Sequence, residues 1–439
     1  MKIVFKNGRI LDPTQDLDIV GSVVVEDAQV IEVGESVNED GVSATYDCKG
    51  LWISPGLVDM NTHLREPGET HRETIRTGTQ AAAAGGYTTI CCMPNTSPPL
   101  DTSALIDFIF DKAASTDAGG VFVAPIGALT AGLKGQSVSD LAALKKAGIV
   151  AASDEGHPVQ DSAVMKHAME FCLQLDLPIL AQCEDRSLSE GGSVNDGAVS
   201  AMLGLKGMPR SAEEIMVMRN CLLSLNTGCP VHILRVSTWG AVEMIRQAKY
   251  LGAPVTCDIS PHHFALTEEA VQEFDANFKM SPPLRTQVDV DILLQELRDG
   301  TIDAVASDHS PYAMHEVHQP FDEAPFGVAG LESSLAATLT FATHRGFLSP
   351  LETVRKLSSA PAEILRLEAG TLKPGGTPVA QVTLIDPNVE WVFDSDHTFS
   401  MGKNSPFDGM EMRGKSVLTF CGNEIYRDGS FDSERYVER

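Results

Sequence analysis

Short apolar runs alternate with longer amphipathic stretches through the middle of the chain. Each run is almost continuously apolar, as expected for strands that helices cover on both faces. The runs are 56–63, 87–93, 121–128, 149–153, 178–183, 230–236, 254–259 and 302–307. Stretches with helical periodicity lie between them, at 73–84, 102–114, 138–147, 162–174, 211–226, 240–251 and 288–298. This alternation predicts an α/β fold, a (β/α)8 barrel of the TIM type, and a doubly wound open sheet is the alternative.

Both ends of the chain have a different pattern, with short β-branched runs separated by turn residues. Gly8, Pro13 and Gly34 divide the first 54 residues, and Pro374-Gly375-Gly376 opens a similar stretch near the end. Such punctuation is typical of antiparallel strands. We therefore expect residues 1–54 and 365–439 to pair into a small β-sandwich accessory domain beside a barrel of residues 55–364.

The charge and cysteine content limit the classes of function. The net charge is −27 and the isoelectric point is about 4.7, so the surface repels phosphate backbones and anionic lipids. We expect neither a nucleic acid nor a membrane as a partner. The nine cysteines have no regular spacing, and the first residues lack the pattern of a signal peptide. These features indicate a cytoplasmic protein with reduced thiols.

Polar residues follow most of the apolar runs, where catalytic groups lie in barrels of this type. The first run ends in Asn61, His63 and Arg65, whose alternate spacing places them on one face of a strand. Later runs end in Met93-Pro-Asn95-Thr96, Asp154-Glu155-Gly156, Gln182-Cys183-Glu184-Asp185, Arg235-Val-Ser-Thr238, Ser260-Pro-His262-His263 and Ser307-Asp308-His309. The repeated placement predicts a functional site at the carboxyl ends of the strands.

Several of these segments, in this order, resemble the bacterial dihydroorotases of the amidohydrolase superfamily. The matching segments are Gly56-Leu-Val-Asp, Leu64-Arg-Glu-Pro-Gly68, Met93-Pro-Asn-Thr96, Cys183-Glu-Asp185, Val236-Ser-Thr238, Pro282-Pro-Leu-Arg285, Ala306-Ser-Asp-His309 and Glu323-Ala-Pro-Phe-Gly327. The resemblance implies a barrel enzyme of pyrimidine biosynthesis. Such an enzyme interconverts carbamoyl aspartate and dihydroorotate with the help of bound zinc, which activates a water molecule.

The zinc ligands that the resemblance implies are largely replaced here. Asn61, Gln182 and Arg235 stand at three histidine positions of the family. His63 and Asp308 are kept, and Glu155 aligns with an aspartate ligand. A guanidinium stays protonated and cannot bind a metal. At 4 Å and an effective dielectric constant of about 20, it would repel a divalent ion by about 8 kcal/mol. We therefore expect Arg235 to pair with Glu155, Asp308 or both.

The substrate-binding positions implied by the resemblance are partly kept. Arg65 and Asn95 match the residues that hold the substrate carboxylate. Ser281 and Tyr312 stand where the family has asparagine and histidine. Asp308 also occupies the family's proton-transfer position.

Two functions are compatible with this pattern. The favoured interpretation is a non-catalytic homologue without a cofactor, which serves as a structural or regulatory partner of aspartate carbamoyltransferase and could form homo-oligomers. The alternative is an active cyclic amidohydrolase with a single or rearranged zinc site. Such a site would use His63, Glu155, Asp308 and one further histidine, taken from His157, His309, His315 and His318.

Overall fold

The structure is a computed structural model, and it describes residues 1–115, 120–422, 424–427 and 430–432. The strands are β1 (Lys2–Asp12), β2 (Leu17–Glu26), β3 (Gln29–Gly34), β4 (Ala44–Asp47), β5 (Trp52–Pro55), β6 (Leu57–Thr62), β7 (Tyr87–Cys92), β8 (Phe122–Ala128), β9 (Ala151–Ser153), β10 (Ile179–Gln182), β11 (Val194–Asn195), β12 (Gly207–Met208), β13 (Val231–Leu234), β14 (Val255–Ile259), β15 (Ala304–Val305), β16 (Gln381–Val392), β17 (Glu411–Cys421), β18 (Glu424–Arg427) and β19 (Ser430–Asp432).

The helices fill the intervals between the central strands. They are α1 (Ile75–Gly85), α2 (Ser103–Ser115), α3 (Leu141–Ala147), α4 (Ser162–Gln174), α5 (Arg186–Ser189), α6 (Ala198–Leu203), α7 (Ser211–Thr227), α8 (Trp239–Tyr250), α9 (Pro261–Ala265), α10 (Gln287–Asp299), α11 (Met314–Val317), α12 (Leu331–Thr338), α13 (Pro350–Val354) and α14 (Ala360–Leu365). In the described part of the chain, no helix is long and apolar enough to cross a membrane.

Eight parallel strands form the barrel, and they follow one another in chain order from β6 to β10 and from β13 to β15. All six residues of β6 and of β7 are buried, including the polar ones such as Asp59 and Asn61. The inside of the barrel is filled by apolar side chains that include Met60, Cys91, Ile126 and Leu180. The (β/α)8 barrel is therefore confirmed, and the open doubly wound sheet is excluded.

The first and last strands of the barrel meet through both backbone and side chains. A parallel bridge joins Thr62 to His309, and His63 N donates to His309 O at 2.8 Å. Asp59 lies completely buried at the same seam, where its carboxylate accepts hydrogen bonds from Ser307 N at 2.7 Å, Ser307 Oγ at 2.9 Å and Thr62 Oγ1. Burial raises the pKa of Asp59 to about 6, although these donors oppose the shift.

We expect Asp59 to contribute a decrease in the stability of the protein between about pH 4 and pH 6. Across this interval the folded chain keeps a proton on Asp59 that the unfolded chain has lost, so the free energy of unfolding decreases as the pH rises. The substitution Asp59→Asn should reduce this decrease in the free energy of unfolding by about 3 kcal/mol, which corresponds to a pKa shift of about two units. Urea unfolding at a series of pH values would measure it.

A surface carboxyl provides the control for this experiment. The hydrogen bond from Arg9 lowers the pKa of Asp18, so Asp18 contributes stability that is lost only as the pH falls. Asp18→Asn should therefore leave the decrease between pH 4 and pH 6 in place. An equal decrease in Asp59→Asn and in the wild type would contradict the assignment to Asp59.

Strands from the two ends of the chain share one nine-stranded sheet, in the order β19-β18-β17-β16-β5-β1-β2-β3, and β4 also pairs with β1. The sheet encloses its own apolar core, which includes Phe5, Ile53, Val382 and Phe420. The expected β-sandwich from both chain ends is thus present. Its last predicted residues, 433–439, lie outside the described part, and the proposed domain limits at 54 and 365 stay predictions.

Candidate active site

A cavity of about 250 Å³ opens among the loops at the carboxyl ends of the barrel strands. It is lined by His63, Arg65, Asn95, Glu155, Gly156, Gln182, Glu184, Met208, Arg235, Ser281, Asp308, Ser310, Tyr312, Phe326 and Gly327. The cavity therefore brings together residues that the sequence places at the ends of separate strands. All four predicted substrate-binding positions line this one cavity. His63, Glu155 and Asp308 do so as well, whereas their individual roles stay predictions.

Arg235 lies at the centre of the site between two carboxylates. Its Nη1 donates to Asp308 Oδ1 at 2.5 Å, and its Nη2 is 2.8 Å from Glu155 Oε1. The side chains of all three residues are at most 4% exposed. The predicted ion pair of Arg235 with these two acids is confirmed. Because the low dielectric of a buried site strengthens such contacts, removal of one partner would be costly.

A third buried carboxylate, that of Asp258, fixes the backbone at Arg235. Arg235 N donates to Asp258 Oδ1 at 2.7 Å, and Asp258 Oδ2 is 2.9 Å from His232 Nε2. His232 Nδ1 is 2.8 Å from Thr256 Oγ1, so both ring nitrogens of this buried histidine have partners. His232 is therefore a core residue. Its pairing with Asp258 supports the position of Arg235 indirectly.

Three residues of the site adopt left-handed backbone conformations that are uncommon for side chains of this size. The φ angle is +57° at Arg65, +51° at Arg235 and +53° at Asp308. Each such residue costs on the order of 1–3 kcal/mol unless the surroundings stabilise it. All three line the cavity. This clustering is typical of a site whose side chains are held in fixed directions.

Burial and the two arginines determine the charge of the site. Burial raises the pKa of Asp308 to about 6 and also raises that of Glu155, while Arg235 opposes both shifts. Burial alone would lower the pKa of Arg235, but Asp308 and Glu155 raise it above its ordinary value. Burial, followed by the charges of Arg65 and Arg235, lowers the pKa of His63 well below its usual range. The imidazole of His63 is thus neutral at pH 7.

A neutral His63 has a defined proton position. Its Nδ1 is 2.8 Å from Asn95 Oδ1, which can only accept a hydrogen bond, so Nδ1 carries the proton. The lone pair then resides on Nε2, which is buried and has no hydrogen-bond partner among the described residues. Nε2 lies 3.7 Å from Glu155 Oε1, beyond hydrogen-bonding distance.

Arg65 is held at the cavity wall by Tyr312. Its guanidinium carbon lies 4.6 Å from the centre of the Tyr312 ring, and Arg72 stacks on the same ring at 4.7 Å. Arg65 Nε donates to Pro311 O at 3.2 Å. Arg72 is held by Glu316 and Glu69 and does not line the cavity. Arg65 therefore offers its remaining N–H groups to a ligand in a fixed plane.

The side chains present do not fit the zinc centre that the resemblance implies. Among the residues that the structure describes, no group of three or more His, Cys, Asp or Glu side chains is placed to hold a metal ion. The reason is geometric: the guanidinium of Arg235 occupies the space between Glu155 and Asp308. Asn61 is completely buried and does not line the cavity, and neither atom of its amide has a partner in the described structure.

The four further histidines considered for a rearranged zinc site do not join the two acids. His309 Nε2 lies 3.4 Å from Glu73, and His157 Nδ1 lies 3.4 Å from Arg186. The ring of His315 lies 6.4 Å from the ring of His71, and His318 does not line the cavity. That version of the alternative function is not supported by the geometry.

Several residues of the site were assigned no role from the sequence. Glu184, Met208 and Phe326 complete the cavity wall. His262 was not expected to be near the acids, but its Nε2 lies 3.8 Å from Asp308 Oδ2. Burial lowers the pKa of His262, and the charges of His263 and Arg235 lower it further. Its place directly after an apolar run was the available signal.

Comparison with known proteins agrees with this architecture. A family model described as "Dihydro-orotase-like" matches residues 50–240. A dihydroorotase from Geobacter metallireducens is 43% identical over 97% of this chain and 99% of its own length. The chain belongs to the dihydroorotase family. A second dihydroorotase, from Pelotomaculum thermopropionicum, is 44% identical over 97% of this chain and 98% of its own length.

Solved structures of related barrels extend the comparison beyond the dihydroorotase family. An L-hydantoinase from Arthrobacter aurescens superposes with a TM-score of 0.86 at 25% identity, over 97% of this chain and 96% of its own. A dihydropyrimidinase from Brevibacillus agri gives a TM-score of 0.82 at 21% identity, over 98% and 95% of the two chains. The second likeness shows the fold alone.

These relatives overturn the favoured interpretation of the sequence. We expected a non-catalytic structural partner of aspartate carbamoyltransferase, because three histidine positions are replaced. That expectation is wrong: relatives that cover almost the full length of the chain at 42–44% identity are dihydroorotases. The replaced positions alter the site, but they do not by themselves remove a function. Association with aspartate carbamoyltransferase and homo-oligomer formation stay predictions.

Proposed function

We propose that this protein is an active cyclic amidohydrolase of the dihydroorotase type, which interconverts dihydroorotate and carbamoyl aspartate. The observation that carries the proposal is the similarity to dihydroorotases, 43% identity over 97% of the chain for the Geobacter metallireducens protein. The reaction opens or closes a six-membered ring by hydrolysis or formation of one amide bond. It needs a pocket that holds a carboxylated ring, a group that polarises the amide carbonyl, and groups that move protons.

The cavity supports the first of these requirements. Arg65 lines its wall, where its Nη1 lies 3.6 Å from Glu69 Oε2, beyond hydrogen-bonding distance, and Asn95 and His63 are joined in the same wall. A cavity of about 250 Å³ suits a small ring molecule better than a polymer. A planar guanidinium matches a carboxylate because two parallel N–H groups can meet its two oxygens. The pocket therefore favours a ring that carries a carboxylate over a bare ring.

The proposal can be tested with two rings that differ in the carboxylate alone. Purified protein should open dihydroorotate to carbamoyl aspartate and should close the ring in the opposite direction. Dihydrouracil, which lacks the carboxylate, should be opened at least about 10-fold less efficiently, because it loses a charge-assisted hydrogen bond worth about 1.5–3 kcal/mol. The measurement is the change of ultraviolet absorbance as the ring opens, followed by chromatography of the product.

The outcomes separate the proposal from its competitors. Equal efficiency on the two rings would point to a hydantoinase-like specificity and would contradict the assignment of dihydroorotate. No turnover of either ring in either direction would contradict an active amidohydrolase. Asp308→Asn provides the blank, because Asp308 lies at the proton-transfer position of the family and lines the cavity.

A further inference from the structure

Two side chains that line the cavity, Arg235 and His63, each have a buried nitrogen without a hydrogen-bond partner in the described structure. Arg235 uses Nη1 and Nη2 on Asp308 and Glu155, but its Nε has no hydrogen-bond partner among the described residues. His63 Nε2 is likewise buried without a partner, and it carries a lone pair because Nδ1 faces Asn95 Oδ1. Buried polar groups are rarely left unsatisfied, and such exceptions require an explanation. A ligand that satisfies both groups is the direct explanation.

Both unused groups belong to one small region. Arg235 Nη2 lies 2.8 Å from Glu155 Oε1, and His63 Nε2 lies 3.7 Å from the same oxygen. Both residues line the cavity, and each is about 4% exposed. An N–H donor and a nitrogen acceptor on two side chains that meet at Glu155 match the cis-amide edge of a ring, where a carbonyl oxygen and an N–H stand side by side.

The same geometry excludes a divalent metal ion, which the resemblance implies as the source of positive charge at this position. The guanidinium lies within hydrogen-bonding distance of both acids that would otherwise be left to bind a cation. Its two terminal nitrogens already neutralise much of their charge. A divalent ion close to either acid would also be close to a permanent cation, which repels it.

We propose that Arg235 takes the place of the metal in this protein. The fixed guanidinium supplies the positive charge at the centre of the site, and its Nε–H binds the ring carbonyl oxygen while His63 Nε2 accepts from the adjacent ring N–H. The identity of the ring rests on the proposed function. The cis-amide contact and the independence from divalent ions rest on the geometry of Arg235 and His63.

The first experiment measures metal content and ligand binding of the intact protein. Protein purified without chelator should contain far less than one zinc, manganese, iron or cobalt ion per chain by elemental analysis. Calorimetry should give the same dissociation constant for dihydroorotate in EDTA and in added Zn²⁺. One tightly bound metal per chain, together with loss of binding in EDTA, would overturn the proposal.

A second ligand tests the cis-amide contact. The derivative of dihydroorotate that is methylated at the ring nitrogen between the two carbonyls keeps its carboxylate but lacks the N–H that His63 accepts. It should bind at least about 10-fold more weakly, which corresponds to one hydrogen bond left unmade. Equal binding of the two rings would overturn the contact with His63.

Substitutions test the role of Arg235 with a readout other than turnover. The triple variant Asn61→His, Gln182→His and Arg235→His restores imidazoles at three positions and removes the guanidinium. It should gain about one zinc per chain and a thermal stabilisation by zinc, both absent from the wild type. The double variant Asn61→His and Gln182→His, which keeps Arg235, is the matched control and should gain neither. Zinc uptake by the double variant equal to that of the triple would overturn the exclusion by Arg235.

The results also distinguish this inference from the proposed function. If the wild type binds dihydroorotate in EDTA but opens no ring, the function fails and the inference stands. If it opens the ring only with added divalent metal, the function stands and the inference fails.

Discussion

Replacement of Arg235 by methionine should lower the free energy of unfolding by about 3–5 kcal/mol. Glu155 and Asp308 would then lie buried beside each other with no cation between them. Burial already raises the pKa of both acids, and removal of Arg235 would raise both further. The loss should therefore be larger at pH 8 than at pH 5, where the acids take up protons. Urea unfolding at the two pH values measures it.

A rescue variant shows whether the loss of stability arises from the two buried carboxylates that have lost their cation. Arg235→Met combined with Glu155→Gln and Asp308→Asn removes all three charges together and should recover most of the loss. Arg285→Met serves as a comparison, because Arg285 is also buried but its contact with Glu213 is longer, at 3.4 Å. A stable Arg235→Met protein, or a rescue variant no more stable than the single one, would contradict the buried ion pair.

Replacement of Arg65 by methionine should raise the KM for dihydroorotate by about 10- to 150-fold, the equivalent of 1.5–3 kcal/mol for a hydrogen bond to a charged group. The expected loss is one of binding, because Arg65 lines the cavity wall and its proposed contact is with the carboxylate, which takes no part in ring opening. The KM for dihydrouracil, which has no carboxylate, should hardly change. Steady-state kinetics with both rings measures the difference.

Arg72 provides a matched control for Arg65. The two guanidinium groups stack on the same tyrosine ring at nearly equal distances, but only Arg65 lines the cavity. Arg72→Met should therefore change the KM for dihydroorotate much less than Arg65→Met. Equal effects of the two substitutions would indicate that both act through the position of Tyr312 and that neither meets the carboxylate.

Much of the fold could be predicted because it depends on patterns with a simple physical basis. Buried parallel strands need mostly apolar side chains on both faces, so the segments of β6 and β7 stand out as short runs rich in apolar residues. The pairing of Arg235 with two acids was also predictable. A guanidinium cannot lose its charge in a buried site, and acids were expected at the ends of two other barrel strands, after β9 and after β15.

Other features of the site depend on geometry that residue types do not encode. Asn61 was expected among the residues of the site, but its side chain does not line the cavity. His262 lies near Asp308 because of the direction in which the chain leaves β14, which no periodicity describes. The left-handed backbone at Arg65 and Arg235 is a further example, since long side chains seldom adopt it. The larger error concerned the function. The replacement of three metal-binding histidines was taken as evidence that enzymatic activity was lost.

The pairing of β5 with β16 has a consequence for the order of events during synthesis. Ser54 Oγ donates to Thr383 O, across a separation of 329 residues. On a ribosome, the first strands must wait until nearly the whole chain has emerged before their sheet can be completed. The barrel strands emerge during this interval and can pair with their sequence neighbours as they appear. The amino-terminal strands would then offer an open edge to chaperones, and a chain released early would lack the partner that closes it.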